Sequence, residues 1–259
     1  MGQALIKGLR ASGVGGSRLI AADASTEMLR LARKRYGVRT TRHNREAVRK
    51  AEIIVLAVKP QQMPDVLADL APELRGTQLV LSIAAGMSLR WLRARLPGIP
   101  VIRVMPNLPA TVGEGFSALA AGPGATARHR ALAAALFGAV GQTCELPERH
   151  FDAITAVSGS GPAYLFFLVK IWQAAARRLG LPEEVTVRAV RQTLKGSLRL
   201  LEADGGEPED LIARVASKRG TTEAALKTLA KRRVEASFAE ALRAAARRSK
   251  EFSWTSSGR

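Results

Sequence analysis

Short apolar runs alternate with stretches of helical periodicity through the first 150 residues; beyond them only the helical periodicity remains. The runs at 18–22, 52–58, 78–83, 101–105 and 115–121, with a short one at 142–146, are bounded by Gly, Pro or Asp and read as strands. Between them, residues 2–10, 26–36, 63–70, 89–96 and 128–137 repeat apolar positions every three or four residues and read as helices. This alternation predicts a parallel sheet covered by helices. From Phe151 the pattern predicts helices alone, at 162–180, 182–204, 208–217, from Thr221-Thr222 onward, and at 233–250. Pro162, Pro182 and Pro208 open the first three, at a helix position that needs no amide donor. Two domains are expected, 1–150 and 151–259, with a loose polar tail at 253–259.

Composition narrows the possibilities. With 47% apolar residues in 259, the chain can bury a substantial core. No run of about eighteen apolar residues occurs and the N-terminus lacks a secretory pattern, so no transmembrane helix and a cytoplasmic location are expected. Cys144 is the single cysteine, and His43, His129 and His150 have no metal-ligand spacing, so no metal is expected. The net charge of +18 comes from arginines scattered along helical segments, and aromatics are only 5% of the chain. A solvated basic surface fits this better than a nucleic-acid groove; the exception to watch is Lys227, Lys231, Arg232 and Arg233.

Several short patterns carry candidate chemistry. Met1-Gly2 followed by an opening helix looks like the last glycine of a dinucleotide phosphate turn. Asp23, 21 residues after Gly2 and ending the next strand, has the spacing of a ribose-binding carboxylate, although turns favour Asp as well. Ala57-Val58-Lys59-Pro60 and Met105-Pro106-Asn107 each follow a strand, and open parallel sheets bind ligands at those ends. Asn107 offers both donors and an acceptor. The segment 155–164, rich in Ser and Gly, reads as a small-residue turn into a helix. The loop 217–222 gathers Ser217, Gly220, Thr221 and Thr222 at a helix start, where a carboxylate would be stabilised or where a threonine simply caps the helix.

Taken with Ser82-Ile83-Ala84-Ala85-Gly86 and Val112-Gly113-Glu114-Gly115, these ordered motifs resemble the pyrroline-5-carboxylate reductase family from Gly2 to about Phe252. The resemblance implies a doubly wound Rossmann-like α/β sheet lacking its first strand, followed by an all-α dimerisation domain. It also implies NADPH or NADH as cofactor, active sites formed between subunits, and a homodimer that often assembles further as a pentamer of dimers, a decamer. The implied reaction is reduction of L-1-pyrroline-5-carboxylate to L-proline. Ser217, Gly220 and Thr221 would meet the substrate carboxylate, and Thr222 would act as the catalytic residue at the ring nitrogen. Lys59, Pro60 and Asn107, with Gly2, Asp23 and Ala57, would line the cofactor.

The chain departs from the family pattern in four places. Family members start about ten residues earlier with an apolar strand and the first two glycines of the phosphate turn; the expectation is a start codon upstream, with a truncated inactive copy as the alternative. The missing strand should leave a gap in the sheet. Arg219 replaces a glycine, which would be strained if that position has positive φ. Leu108 replaces a usual threonine, and Lys170 a common acidic residue. No Arg follows Asp23 within 24–26, so the choice between NADH and NADPH stays open. The alternatives are a related imine reductase or 2-hydroxy-acid-type dehydrogenase, which the 217–222 loop argues against, and a catalytically impaired scaffold or basic nucleic-acid binder.

Overall fold

The computed structural model describes residues 1–253; the remainder of the expected loose tail lies outside the described residues. The chain forms two compact units, one from Met1 to Ser160 joined by the chain from Ala245, the other from Gly161 to Ala244.

The first unit is built in the order α1 (Gly2–Ala11), β1 (Ile20–Ala22), α2 (Thr26–Tyr36), β2 (Arg39–Thr41), α3 (Asn44–Lys50), β3 (Ile53–Leu56), α4 (Met63–Leu70), β4 (Leu79–Ser82), α5 (Leu89–Arg95), β5 (Val101–Met105), β6 (Gly115–Ala121), α6 (Ala127–Gly138), β7 (Gly141–Glu145) and α7 (Phe151–Ile154). Local chemistry sets many of the ends. Ser25 accepts from the Met28 amide to start α2, Gly37 closes it at φ 64°, and Ser88 caps α5. Strand β2 and helix α3 are additions to the sequence expectation. Arg39-Thr40-Thr41 has no apolar run, and its extended state comes from pairing with β1.

The strands form a Rossmann-like, mixed sheet in two pieces. β1 and β2 pair in parallel, with Ile20 opposite Arg39. The other five lie in the order β3-β4-β5-β6-β7; β3, β4 and β5 are mutually parallel, β6 runs antiparallel to β5, and β7 is parallel to β6. No described strand pairs with the second edge of β1 or of β3. The division into two pieces matches the gap expected from the sequence.

The inner strands β4, β5 and β6 of the five-stranded piece are buried on both faces, with alternate side chains feeding two cores. Val80 and Val101 pack with Met63, Leu67, Trp91 and Phe151 on one face. Leu79, Leu81, Ile102 and Val104 pack with Leu5, Ala133 and Phe137 on the other. Arg103 is the charged residue of this interior, 5% exposed. Its Nη1 donates to Glu148 Oε1 at 2.9 Å and its guanidinium lies 4.7 Å from the Phe151 ring centroid. Glu148 Oε1 also accepts from the Leu89 amide at 2.7 Å, so one carboxylate ties β5 to the start of α5.

Two readings of the 148–178 region are corrected. The segment 155–159 is no turn: it is a π-helical stretch, Thr155–Gly159, between α7 and α8 (Gly161–Arg178). Pro162 gives the reason, since proline lacks the amide that a regular α-turn would use and crowds the carbonyl four residues back; widening the preceding turn accommodates it. The helix therefore runs 31 residues, Glu148–Arg178, long and apolar enough by length and composition to cross a membrane, contrary to the expectation that nothing in the chain is. Few of its residues in the most apolar window are buried within the chain.

The second unit holds α8, α9 (Glu183–Asp204), α10 (Pro208–Val215), α11 (Thr221–Lys231) and α12 (Val234–Glu251) as far as Ala244. Ala176, Thr186 and Val190 are its buried residues, and the Tyr164 and Phe238 rings meet edge to face at 5.9 Å. In the first unit, the end of α12 fastens to α7 where Ser249 Oγ meets Asp152 Oδ1 at 2.7 Å.

Gly141 tests the packing of β6 on β7. It has φ 143°, and a Cβ there would lie 2.0 Å from the Gly115 carbonyl oxygen. Gly141→Ala is expected to cost about 3 kcal/mol, read as a loss of several degrees in Tm by calorimetry; a Tm within a degree of wild type would contradict this packing.

Candidate functional site

The parallel pairing of β3, β4 and β5 brings the loops after β3 and β5 to one edge of the sheet, and the N-terminus of α1 joins them. A Cβ added to Gly2 would lie 3.6 Å from Ala57 Cβ. The first intrahelical bond of α1 runs from the Leu5 amide to the Met1 carbonyl, so the amides of Gly2, Gln3 and Ala4 have no acceptor within the helix. No acidic residue occupies this first turn. Free amides and a positive dipole end suit an anion such as a pyrophosphate. On the α1 side of the loop that follows Asn107, Lys7 Nζ donates to the Thr111 carbonyl at 3.4 Å.

Asp23 continues β1, its amide donating to the Thr41 carbonyl at 3.3 Å. Its Oδ1 accepts from the Ser25 amide at 2.8 Å, so the turn-forming role is real, and the second oxygen remains for a hydroxyl donor. No ion pair involves Asp23 among the described residues. Lys59 is exposed and extended at φ −64° and ψ 146°, as a residue before proline must be, and Pro60 opens a short 3-10 turn. Asn107 is held at both ends: Oδ1 accepts from the Phe116 amide at 2.9 Å, and Nδ2 donates to Ser158 Oγ at 3.1 Å. Sequence singles out Ser158 only as part of the 155–164 segment and Phe116 not at all, because the first lies far along the chain from its contact and the second acts through its backbone. Cys144 lies in β7, and burial pushes its thiol up, which keeps it protonated at neutral pH. Among the described residues no cluster of three metal-ligating side chains occurs.

The second unit carries the 217–222 group. The Gly220 amide donates to the Ser217 carbonyl at 2.9 Å, and Gly220 is the N-cap of α11. A Cβ on Gly220 would lie 2.4 Å from Ser217 Oγ, so the hydroxyl rests directly over the glycine. The turn thus brings Ser217, Gly220 and Thr221 together beside the open amides of the helix start, with Thr222 half-buried next to them. Arg219 has φ 60°, as anticipated for a position where the family uses glycine. Its amide donates to Glu223 Oε2 at 2.6 Å, and Glu223 also pairs with Lys227 at 3.0 Å. Glu223 was missed from sequence, though an acidic residue three positions after a helix cap is a recognisable signal. The strand-end group belongs to one unit and the 217–222 group to the other.

Comparison with known proteins decides the family. Residues 148–252 match the family model described as pyrroline-5-carboxylate reductase dimerisation, and 1–86 match NADP oxidoreductase coenzyme F420-dependent. A pyrroline-5-carboxylate reductase of Pseudomonas aeruginosa is 41% identical over 97% of this chain and 93% of its own length. The chain belongs to the pyrroline-5-carboxylate reductase family. An Arabidopsis thaliana reductase of that name is 35% identical over 98% of this chain and 92% of its own. The Coxiella burnetii reductase structure superposes with a TM-score of 0.93 at 33% identity, covering 98% and 95% of the two chains. The Plasmodium falciparum enzyme, solved with NADP bound, gives 0.88 at 28% over 98% and 95%. An imine reductase of Myxococcus stipitatus shares the fold alone, at 21% identity and a TM-score of 0.57, over 79% of this chain and 72% of its own. Family membership sets aside the imine-reductase and hydroxy-acid alternatives.

The positive φ of Arg219 yields a test within this reductase. A side chain in the left-handed region costs about 1–2 kcal/mol, partly offset by the greater freedom of glycine when unfolded. Arg219→Gly is expected to raise Tm by roughly 2 °C in a thermal melt; a lower Tm would show that the backbone there is unstrained.

Proposed function

We propose that this chain reduces L-1-pyrroline-5-carboxylate to L-proline with NADPH or NADH, the last step of proline synthesis. The observation that carries the reading is the near-full-length identity to pyrroline-5-carboxylate reductases, with the 217–222 loop folded as a helix start that holds hydroxyls and open amides together. The open first turn of α1 and the free carboxylate oxygen of Asp23 fit a dinucleotide. When bound, it supplies a hydride to the carbon of the C=N bond, while the ring nitrogen gains a proton.

The chain's own residues bind and orient. Gly2 and its neighbouring amides take the pyrophosphate, Asp23 accepts from the adenosine ribose, and Ala57, Lys59, Pro60 and Asn107 line the cofactor. The Ser217 hydroxyl with the Gly220 and Thr221 backbone holds the substrate carboxylate. The Thr222 hydroxyl donates to the ring nitrogen, which favours hydride arrival at the adjacent carbon. In domain terms, the unit that holds Met1 to Ser160 binds the cofactor, and the unit from Gly161 to Ala244 serves the substrate and dimerisation.

An NAD(P)H oxidation assay with pyrroline-5-carboxylate tests the reading. Thr222→Val is expected to lower kcat/KM by roughly 10- to 100-fold, and Arg219→Gly to lower the imine KM. Absence of turnover by the wild-type chain would overturn the reading, and absence of NAD(P)H affinity as well would leave the scaffold alternative standing.

The helical unit also supports a homo-oligomer. Leu165, Phe166, Phe167, Leu168, Ile171 and Trp172 of α8 are each 40–61% exposed, an apolar surface that a second copy of the matched dimerisation region would cover. A homodimer in the cytoplasm, built further into a decamer, accounts for this helix without a membrane, and the dispersed arginines require no nucleic acid. Wild type should run as a dimer or larger in light scattering, and Phe166→Glu with Phe167→Glu should shift it to monomer; a monomeric wild type would refute the assembly.

A further inference from the structure

The residues 155–159 form a π-helical stretch, a conformation found in well under 1% of residues and often at functional sites. The Ser160 amide donates to the Thr155 carbonyl at 2.8 Å, the five-residue spacing of that geometry. Two of its residues meet the end of β5. A Cβ on Gly159 would lie 2.6 Å from Met105 Cε, so the methionine methyl is lodged against the glycine. Ser158 Oγ accepts from Asn107 Nδ2 at 3.1 Å.

The orientation of the Asn107 amide follows from its other bond. The Phe116 amide can only donate, so the group facing it at 2.9 Å is the oxygen, and the nitrogen faces Ser158. One N–H and one oxygen lone pair are then left over, fixed in a single plane. A regular α-turn in place of the π-turn would rotate the serine by about 100° for the residue removed and take the hydroxyl away from Asn107.

We propose that Ser158 is a positioning residue for the nicotinamide cofactor: the π-turn delivers its hydroxyl to Asn107 and locks the asparagine amide. The remaining donor and acceptor are thereby presented to the carboxamide of the nicotinamide, a planar group of the same hydrogen-bonding chemistry. The inference rests on the reading of Asn107 as a cofactor-lining residue. A hydrogen bond that merely stapled the helix to the sheet would act on stability and on both substrates alike.

The test compares Ser158→Ala and Ser158→Thr by fluorescence titration with NADPH and NADH, by steady-state KM for cofactor and imine, and by thermal melting. Ser158→Ala is expected to raise the cofactor Kd and KM about fivefold, the loss of one hydrogen bond. The imine KM should stay within about twofold and Tm within about 2 °C, and Ser158→Thr should restore cofactor affinity. In an Asn107→Ala background, Ser158→Ala should add nothing further. Unchanged cofactor affinity in Ser158→Ala, no rescue by threonine, or additive effects of the two alanines would each overturn the proposal. If wild type binds the cofactor without turning over pyrroline-5-carboxylate, the substrate reading fails while the titration still decides the role of Ser158.

Discussion

Parallel pairing of β3, β4 and β5 is the constraint from which the first unit takes its shape. Because the three strands run the same way, the loops after Leu56 and Met105 emerge at a common edge, and alternate residues of each strand are forced into two separate cores. Among the described residues that arrangement leaves one charged side chain inside, Arg103, and the fold answers it with Glu148 and the Phe151 ring. Removing Glu148 would strand the Arg103 guanidinium in a low-dielectric interior, at a cost of a few kcal/mol. The pair therefore ties β5 to the first residue of the long helix.

The polar contacts on the outside contribute differently. Arg49 holds the Glu73 carboxyl below the usual carboxylate range, Arg177 does the same for Glu183, and Thr41 with Lys50 for Glu46. A depressed carboxyl stabilises the fold above its ordinary titration range, and that contribution fades as pH falls through the lowered value. These groups lie at the surface, where solvent and salt screen them, so they tune stability weakly.

Much of this was legible in the chain itself, for physical reasons that particular elements make plain. Leu79-Val80-Leu81 is apolar at successive positions because both faces of its strand are covered, and Val101 to Val104 is interrupted only by the paired Arg103. Gly37 and Gly205 mark helix ends because only the left-handed conformation closes them there. What escaped sequence reading depends on partners distant in the chain. Strand β2 has no apolar signature and exists through its ladder with β1. The 155–159 segment has the composition of a turn, and Pro162 argues for a break; the helix persists by widening. Asn107 could be recognised as a donor and acceptor, but its two partners, at 116 and 158, are set by the fold.

The apolar face of α8 has a colloidal consequence. Phe166, Phe167, Ile171 and Trp172 present an oily surface that adheres to its like when left uncovered. A protein carrying +18 opposes that contact by long-range repulsion between copies, which weakens as ionic strength rises. Concentrated salt would therefore strengthen adhesion through this helix.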